Sequence, residues 1–146
     1  PTDDLAGRDR NLVKLDAGSK MLDERKNYQQ YGFEKLEVYQ LSEDLIVKIY
    51  TLTKKFPKEE IFGLTSQIRR ASVSISLNLA EGSVERSNKE FIRFINTSIG
   101  SLVETKSGLR IAIKLDIIDE NDLKEILPLL DKIFFKTLAL KKSLNK

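Results

Sequence analysis

The stretch of sequence that decides the fold is FPKEEIFGLTSQIRRASVSISLNLAEG, residues 56–82. Its apolar residues recur at intervals of three and four, the spacing of one face of an α-helix: Ile68, Ala71, Ile75 and Leu79. Two adjacent arginines interrupt the stripe near its start, and Asn, Ala, Glu and Gly follow near its end. The stretch predicts a helix over residues 65–81.

Residues with restricted backbone preferences mark the limits of this helix. Pro57 pushes Phe56 out of the helical region, so that a preceding helix ends there. Thr65 or Ser66 can cap the first turn with a side-chain oxygen, and Gly82 suits the position after the last helical residue.

The same periodicity predicts three further helices, at residues 34–54, 88–115 and 120–143. Ser87 and Glu90 have the spacing of a capping box, and Asp119 can cap the last helix. Pro128 falls inside the last helix, where we expect a kink because proline removes a backbone hydrogen bond. We expect the last helix to turn these residues inward: Leu123, Ile126, Leu130, Ile133, Phe134 and Leu138.

No strand-like alternation occurs, and the connections between the helices are short. We therefore predict an all-α fold, an antiparallel up-down four-helix bundle over residues 33–146 with an N-terminal extension. The extension, residues 1–32, has six acidic and six basic residues and few apolar ones, so the net charge of +3 resides in the bundle. We expect the extension to be a flexible or partly helical arm.

The composition excludes several kinds of chemistry. The chain has no cysteine and no histidine, which removes thiol nucleophiles, disulfides, imidazole bases and the usual zinc ligands. We expect no metal and no cofactor. No apolar run approaches the roughly 20 residues that span a bilayer, so we expect a cytoplasmic protein with no membrane partner. The charge of +3 permits a nucleic-acid partner without arguing for one.

Two ordered blocks of residues carry a resemblance to a known family. The first follows the pattern FP-x-x-E-x-x-GL-x-x-Q-x-RRA-x-x-SI-x-x-N-x-AEG, at Phe56, Pro57, Glu60, Gly63, Leu64, Gln67, Arg69, Arg70, Ala71, Ser74, Ile75, Asn78, Ala80, Glu81 and Gly82. The second block consists of Glu90, Phe91, Gly100, Ser101, Leu102 and Glu104. From Phe33 to the C-terminus the chain resembles the bacterial four-helix-bundle proteins encoded in intervening sequences of 23S ribosomal RNA genes. One departure is Ser76, where many members carry proline, and it predicts a straighter second helix.

The resemblance implies a small bundle that assembles with copies of itself as a ring, a homo-pentamer. A related accessory protein of diversity-generating retroelements forms a basic pentameric barrel that binds nucleic acid and a reverse transcriptase. RNA and a reverse transcriptase are therefore the partners that the resemblance suggests. The match brings no catalytic residues, and no biochemical activity is established for the family.

Two rows of basic side chains on the third helix are candidates for contact with a nucleic-acid backbone. One row is Arg86, Lys89 and Arg93, and the other is Lys106, Arg110 and Lys114. The alternative is a solvated face, since Glu85, Glu90 and Glu104 dilute the positive charge. No aromatic residue lies between the basic ones, so base stacking is not indicated.

Residues of the two motif blocks are candidates for a structural or assembly role: Gln67, Arg69, Arg70, Asn78, Glu81, Gly82, Gly100, Ser101 and Glu104. Consecutive helical residues point about 100° apart, so one of the paired arginines faces a neighbouring helix and the other faces water. The pair could contact a phosphate, or form an ion pair with Glu81 or Glu104. Gly100 implies a close approach of helices, in the bundle or between subunits, because glycine weakens a helix interior. We expect Asn78 to fix helix register by hydrogen bonding.

Two hypotheses for function lead. A third, an enzyme, is the least favoured because the chain has no P-loop, GxGxxG or GxSxG motif, and reproducible turnover abolished by one carboxylate substitution would revive it. In the first, a non-catalytic homo-oligomer offers a basic surface to RNA or to an RNA-associated protein. In the second, the assembly is a protein-interaction scaffold whose N-terminal arm docks a partner. RNA affinity that falls steeply with salt would favour the first hypothesis. Salt-insensitive capture of a protein, lost on deletion of residues 1–32, would favour the second.

Overall fold

The computed structural model describes residues 32–145. These residues form four α-helices and no strand, which confirms the predicted all-α fold: α1 (Glu37–Thr53), α2 (Leu64–Ser83), α3 (Asn88–Lys114) and α4 (Ile126–Leu144). Short 3₁₀ turns at Gly32–Lys35, Lys58–Glu60 and Glu120–Leu123 precede α1, α2 and α4. Apart from Gly32, the N-terminal arm proposed above lies outside the described residues.

Each helix packs against the next one in the chain, and α4 also packs against α1. The buried apolar side chains of all four helices form one core, with Leu45 and Ile49 from α1, Ile75 from α2, Leu109 from α3 and Ile133 from α4 fully enclosed. Burying a large aliphatic side chain contributes about 1.5–3 kcal/mol relative to leaving it exposed. The core therefore fixes which face of every helix remains available for other contacts.

Small residues let α2 and α3 approach each other closely. A Cβ atom added at Gly108 would lie 2.7 Å from Cγ1 of Ile68, and one added at Gly82 would lie 2.7 Å from Cβ of Phe94. Real Cβ atoms essentially never come this close to another heavy atom. Both glycines are thus required by the space between the two helices.

Hydroxyl groups complete the packing within the core. The hydroxyl oxygens of Ser42 in α1 and Ser76 in α2 lie 2.6 Å apart, in a buried hydrogen bond between the helices. Ser98 in α3 donates to the carbonyl oxygen of Ile75 in α2 at 2.9 Å. A buried polar group must be hydrogen-bonded to avoid a desolvation penalty, so these bonds favour one register of the helices. Ser76 thus connects α1 to α2.

The start of the last helix differs from the prediction. Asp119 and Asp122 form a reciprocal capping box, but it caps the 3₁₀ turn, and α4 begins only at Ile126. Pro128 is consequently the third residue of α4, where a proline sacrifices no intrahelical hydrogen bond because the first-turn N–H groups have no partner within the helix. The placement of Pro128 in the helix interior was therefore wrong, and the reason for expecting a kink there is removed.

The boundaries of α2 also correct the sequence interpretation. Neither Thr65 nor Ser66 caps the helix, because both lie within its first turn, and the Glu60 carboxylate accepts from the Leu64 N–H at 2.9 Å instead. Gly82 lies inside α2 and not after its end. On α4, Leu138 is exposed, whereas Thr137 takes the buried position that we predicted for Leu138.

Within the part of the chain that the structure describes, no helix combines the length and the apolar character needed to cross a membrane.

Gly108→Ala is expected to destabilise the fold by about 1–3 kcal/mol, because the added methyl group must displace Ile68. Gly100 provides a matched control in the same helix, since a Cβ atom added there meets nothing within 4 Å. Gly100→Ala should stabilise the fold by about 0.5–1 kcal/mol through helix propensity alone. Urea unfolding followed by circular dichroism measures both changes. A Gly108→Ala protein as stable as the wild type would contradict the close approach of α2 and α3.

Candidate interaction surfaces

The two motif blocks meet where α2 packs on α3. The Gln67 side-chain amide donates to the Glu104 carboxylate at 2.6 Å, and the Ser101 hydroxyl donates to that of Ser74 at 2.8 Å. Asn78 stands in the same network, since its amide donates to the carbonyl oxygen of Ser74 at 2.8 Å and to its hydroxyl oxygen at 3.0 Å. These residues, which the sequence placed in separate blocks, thus form one polar seam along the two helices.

Arg69 faces α1, and within the described part of one copy it does not form the ion pair with Glu81 or Glu104 that the sequence suggested. Its Nε donates to the Thr53 hydroxyl at 2.8 Å, and its guanidinium carbon lies 4.5 Å from the ring centroid of Tyr50. A cation over an aromatic ring is stabilised by the negative face of that ring. The Arg69 side chain therefore joins α1 to α2 through a hydroxyl group and a ring in place of a carboxylate.

Arg70 and Glu81 lie on the outer surface of α2. Both are exposed, and neither forms an ion pair with another residue in the range 32–145. They border a shallow depression that also contains Tyr50 and Leu77. This depression lies on the outer surface of α2, with Tyr50 of α1 at its border, and contains outward-facing members of the first motif block.

Gly100 contributes no close approach within the bundle, because the space around it is open. The expectation of a tight contact inside one copy was therefore wrong for Gly100, and Gly108 makes that contact instead. A contact between subunits at Gly100 stays a prediction.

The six candidate nucleic-acid residues separate into two groups. Arg86, Lys89 and Arg93 are exposed around the start of α3, where Arg93 pairs with Glu90 at 3.0 Å. Lys106 is half-buried and pairs with Asp131 of α4 at 3.1 Å, while Arg110 and Lys114 are exposed. The first group lies at one end of the bundle, and the second lies beside α4.

The structure adds two cations to the first group. The Asn88 amide donates to the carbonyl oxygen of Leu144 at 3.3 Å, which brings the last turn of α4 against the start of α3. That last turn carries Lys141 and Lys142. We call Arg86, Lys89, Arg93, Lys141 and Lys142 the basic end of the bundle. The sequence alone gave no sign of this meeting, because Asn88 and Leu144 are 56 positions apart in the chain.

The second group borders an apolar groove between α3 and α4 with a volume of about 740 Å³. The apolar residues that line the groove are Leu102, Val103, Ile111, Leu130, Phe134 and Phe135, and its polar border consists of Lys106, Ser107, Arg110, Lys114 and Asp131. Val103 and Phe135 are 57% and 66% exposed. Because Lys106 already pairs with Asp131, two cations of the border lack an acidic partner within the described chain.

No group of three or more carboxylates that could hold a metal ion occurs in residues 32–145. The two groups with shifted pKa values have local causes. Burial and the neighbouring Glu43 carboxylate raise the pKa of Tyr39. The backbone N–H of Asp119, which donates to the Asp122 carboxylate, lowers the pKa of Asp122.

The comparison with known families agrees with this architecture. Residues 34–137 match the family described as 23S rRNA-intervening sequence protein, and the chain belongs to this family. Among solved structures, the chain is similar to a protein of unknown function from the S23 ribosomal protein family of Bacteroides thetaiotaomicron. The two share 24% identity with a TM-score of 0.67, over 72% of this chain and 98% of the other, and this likeness concerns the fold alone. No match was found among curated protein sequences.

Arg69→Ala is expected to lower the free energy of unfolding by about 1–2 kcal/mol, since it removes a hydrogen bond and the contact with the Tyr50 ring. Arg70→Ala is the matched control, because Arg70 is exposed and should change stability by less than about 0.5 kcal/mol. Arg93→Ala, which breaks a surface pair, should also have a small effect. Thermal unfolding of the three variants tests this order. Equal losses for Arg69→Ala and Arg70→Ala would contradict the role of Arg69 between α1 and α2.

Proposed function

We propose that this protein is a non-catalytic, homo-oligomeric four-helix bundle that binds RNA through its basic end. The single observation that carries this proposal is the contact between α3 and α4 at Asn88, which gathers cations from two distant segments. Cations close together attract a polyanion more strongly than the same charges dispersed over a surface. The membership of the 23S rRNA-intervening sequence family is compatible with an RNA partner.

The bundle underlying this function is antiparallel and up-down. Contacts between α2 and α3 support this, since Gln67 pairs with Glu104 and the later Ser74 pairs with the earlier Ser101. Contacts between α1 and α4 run in the same opposed order, with Glu37 near Lys136 and Lys48 near Glu125. An antiparallel order places the start of α3 and the end of α4 at one end of the molecule, where the basic residues meet.

The helix start at Asn88 adds to the positive potential of the basic end. The first N–H groups of a helix carry a partial positive charge, and Lys89 and Arg93 lie in or near the first turn of α3. Arg93 is partly neutralised by Glu90, so Arg86 and Lys89 carry most of the free charge on this side. Phosphate contact through such side chains is sequence-independent and weakens with salt.

Self-assembly multiplies this surface. Each copy carries a net charge of +3, and an assembly presents several basic ends to one RNA molecule. Simultaneous contacts by linked sites raise the overall affinity without any new contact in a single copy. The exposed apolar side chains of α2, α3 and α4 supply the surface that such an assembly requires.

A second candidate function is a protein-interaction scaffold without nucleic-acid binding. The groove between α3 and α4 favours it, because apolar residues line the groove and cations only border it. A partner such as an RNA-associated protein would fill the groove and leave the basic end unused. Capture of a protein that persists at high salt, without any measurable affinity for RNA, would support this second function.

Arg86→Glu combined with Lys89→Glu is expected to weaken binding to a structured RNA by at least about tenfold at low salt. A plot of the logarithm of the binding constant against the logarithm of the salt concentration should have a shallower slope, by about 0.7–0.9 for each lost phosphate contact.

Lys58→Glu combined with Lys132→Glu is the control, because it changes the net charge equally at two exposed lysines away from the basic end. Fluorescence anisotropy with a labelled RNA hairpin compares both proteins with the wild type. The same loss of affinity in both variants would show that RNA affinity depends on net charge alone, and it would contradict a localised binding site.

A further inference from the structure

The groove between α3 and α4 contains apolar side chains that no other residue of the described chain covers. Phe135 packs edge-to-face on Phe134, with ring centroids 5.5 Å apart, yet Phe135 remains largely exposed. Val103 and Ile111 of α3 extend the same surface. Contiguous exposed apolar residues with a polar border mark sites of protein contact.

A second apolar surface lies on the α1–α2 side of the bundle. Val47 is 66% exposed and Leu77 is 56% exposed, and Tyr50, which borders the same depression as Leu77, is partly exposed. Glu43 and Glu81 are exposed on the same two helices, and neither forms an ion pair with another described residue. We call Glu43, Val47, Tyr50, Leu77 and Glu81 the α1–α2 face.

The groove and the α1–α2 face lie on opposite sides of the molecule. The helices pack in the order α1, α2, α3 and α4, with α4 returning to α1, so the α1–α2 side is directly across from the α3–α4 side. Arg110 and Lys114 at the groove lack acidic partners in the described chain, while Glu43 and Glu81 on the α1–α2 face lack basic ones. Arg69 and Arg70 adjoin the other end of the α1–α2 face, so this face is acidic in one half only.

We propose that the groove of one copy receives the α1–α2 face of a second copy, in a head-to-tail contact that each copy makes twice. The occupant is another copy of this chain because one such contact covers both apolar surfaces and brings the unpaired charges of opposite sign together. Two different surfaces in contact form a heterologous interface, which closes into a ring when the rotation between copies permits. This inference rests on the self-assembly in the proposed function and specifies the surfaces that perform it.

A mixing experiment with two full-length variants tests this contact directly. The groove variant carries Arg110→Glu and Phe135→Asp, and the face variant carries Leu77→Lys and Glu81→Lys. All four residues are exposed, so both variants should fold and melt like the wild type. By light scattering, each variant alone should shift from the wild-type assembly to the 16.7 kDa monomer.

An equimolar mixture should form a dimer of twice this mass and nothing larger, because each variant keeps one intact surface and only the intact groove and intact face can meet. A groove that binds another groove would let the face variant, whose groove is intact, assemble on its own, and that result would overturn the proposal. A mixture that stays monomeric would overturn it as well. Either variant retaining the wild-type mass would also overturn it. Lys58→Glu with Lys132→Glu serves again as the control and should assemble normally.

Two further outcomes separate this inference from the broader function. A wild-type protein that is monomeric would contradict self-assembly and therefore the proposed function. A wild-type protein that assembles, together with variants that also assemble, would contradict only the assignment of these two surfaces. Deletion of residues 1–31 should leave the number of copies in the assembly unchanged. An assembly that changes its number of copies on this deletion would assign the groove to the N-terminal segment and overturn the second copy as its occupant.

Discussion

The close approach of α2 and α3 is the constraint on which the rest of the molecule depends. Gly82 and Gly108 remove the Cβ atoms that would hold the two helices apart, and serine hydroxyls bridge them along the contact. This packing fixes the rotation of α3 about its own axis. It therefore decides which side chains of α3 face α4, which face water, and where the cationic residues at the start of α3 point.

The sequence predicted the four helices because each is amphipathic and flanked by a proline, a glycine or a capping residue. It predicted the start of α3 well, since Ser87 accepts from the Glu90 N–H as the capping spacing implied. It misplaced the start of α4 because it counted the preceding 3₁₀ turn as part of the helix. Pro128 then appeared to lie in the helix interior, whereas it lies in the first turn of α4. The two mid-helix glycines of α3 lie about 80° apart on the helix, and periodicity did not distinguish the one that faces α2.

The candidate surfaces were less predictable than the helices, because they depend on contacts between distant segments. Arg69 appeared in the sequence as a cation in need of a carboxylate, but its partners are a hydroxyl and a ring on α1. The groove is composed of side chains from α3 and α4, so the sequence pattern of either helix alone does not reveal it. Lysines are favourable at the negative C-terminal end of any helix, so nothing in the sequence linked those at the end of α4 to Arg86. Under the two proposals made above, the groove and the α1–α2 face would form the contact between copies, and the basic end would remain free for RNA.

The mass of the wild-type protein in solution tests this account most directly. Light scattering over a range of protein concentrations, with and without a structured RNA, measures the number of copies and whether the RNA joins the assembly. The account predicts a mass several times 16.7 kDa without RNA, and a further increase when RNA is added at low salt. A protein that stays at 16.7 kDa at every concentration, with or without RNA, would contradict it.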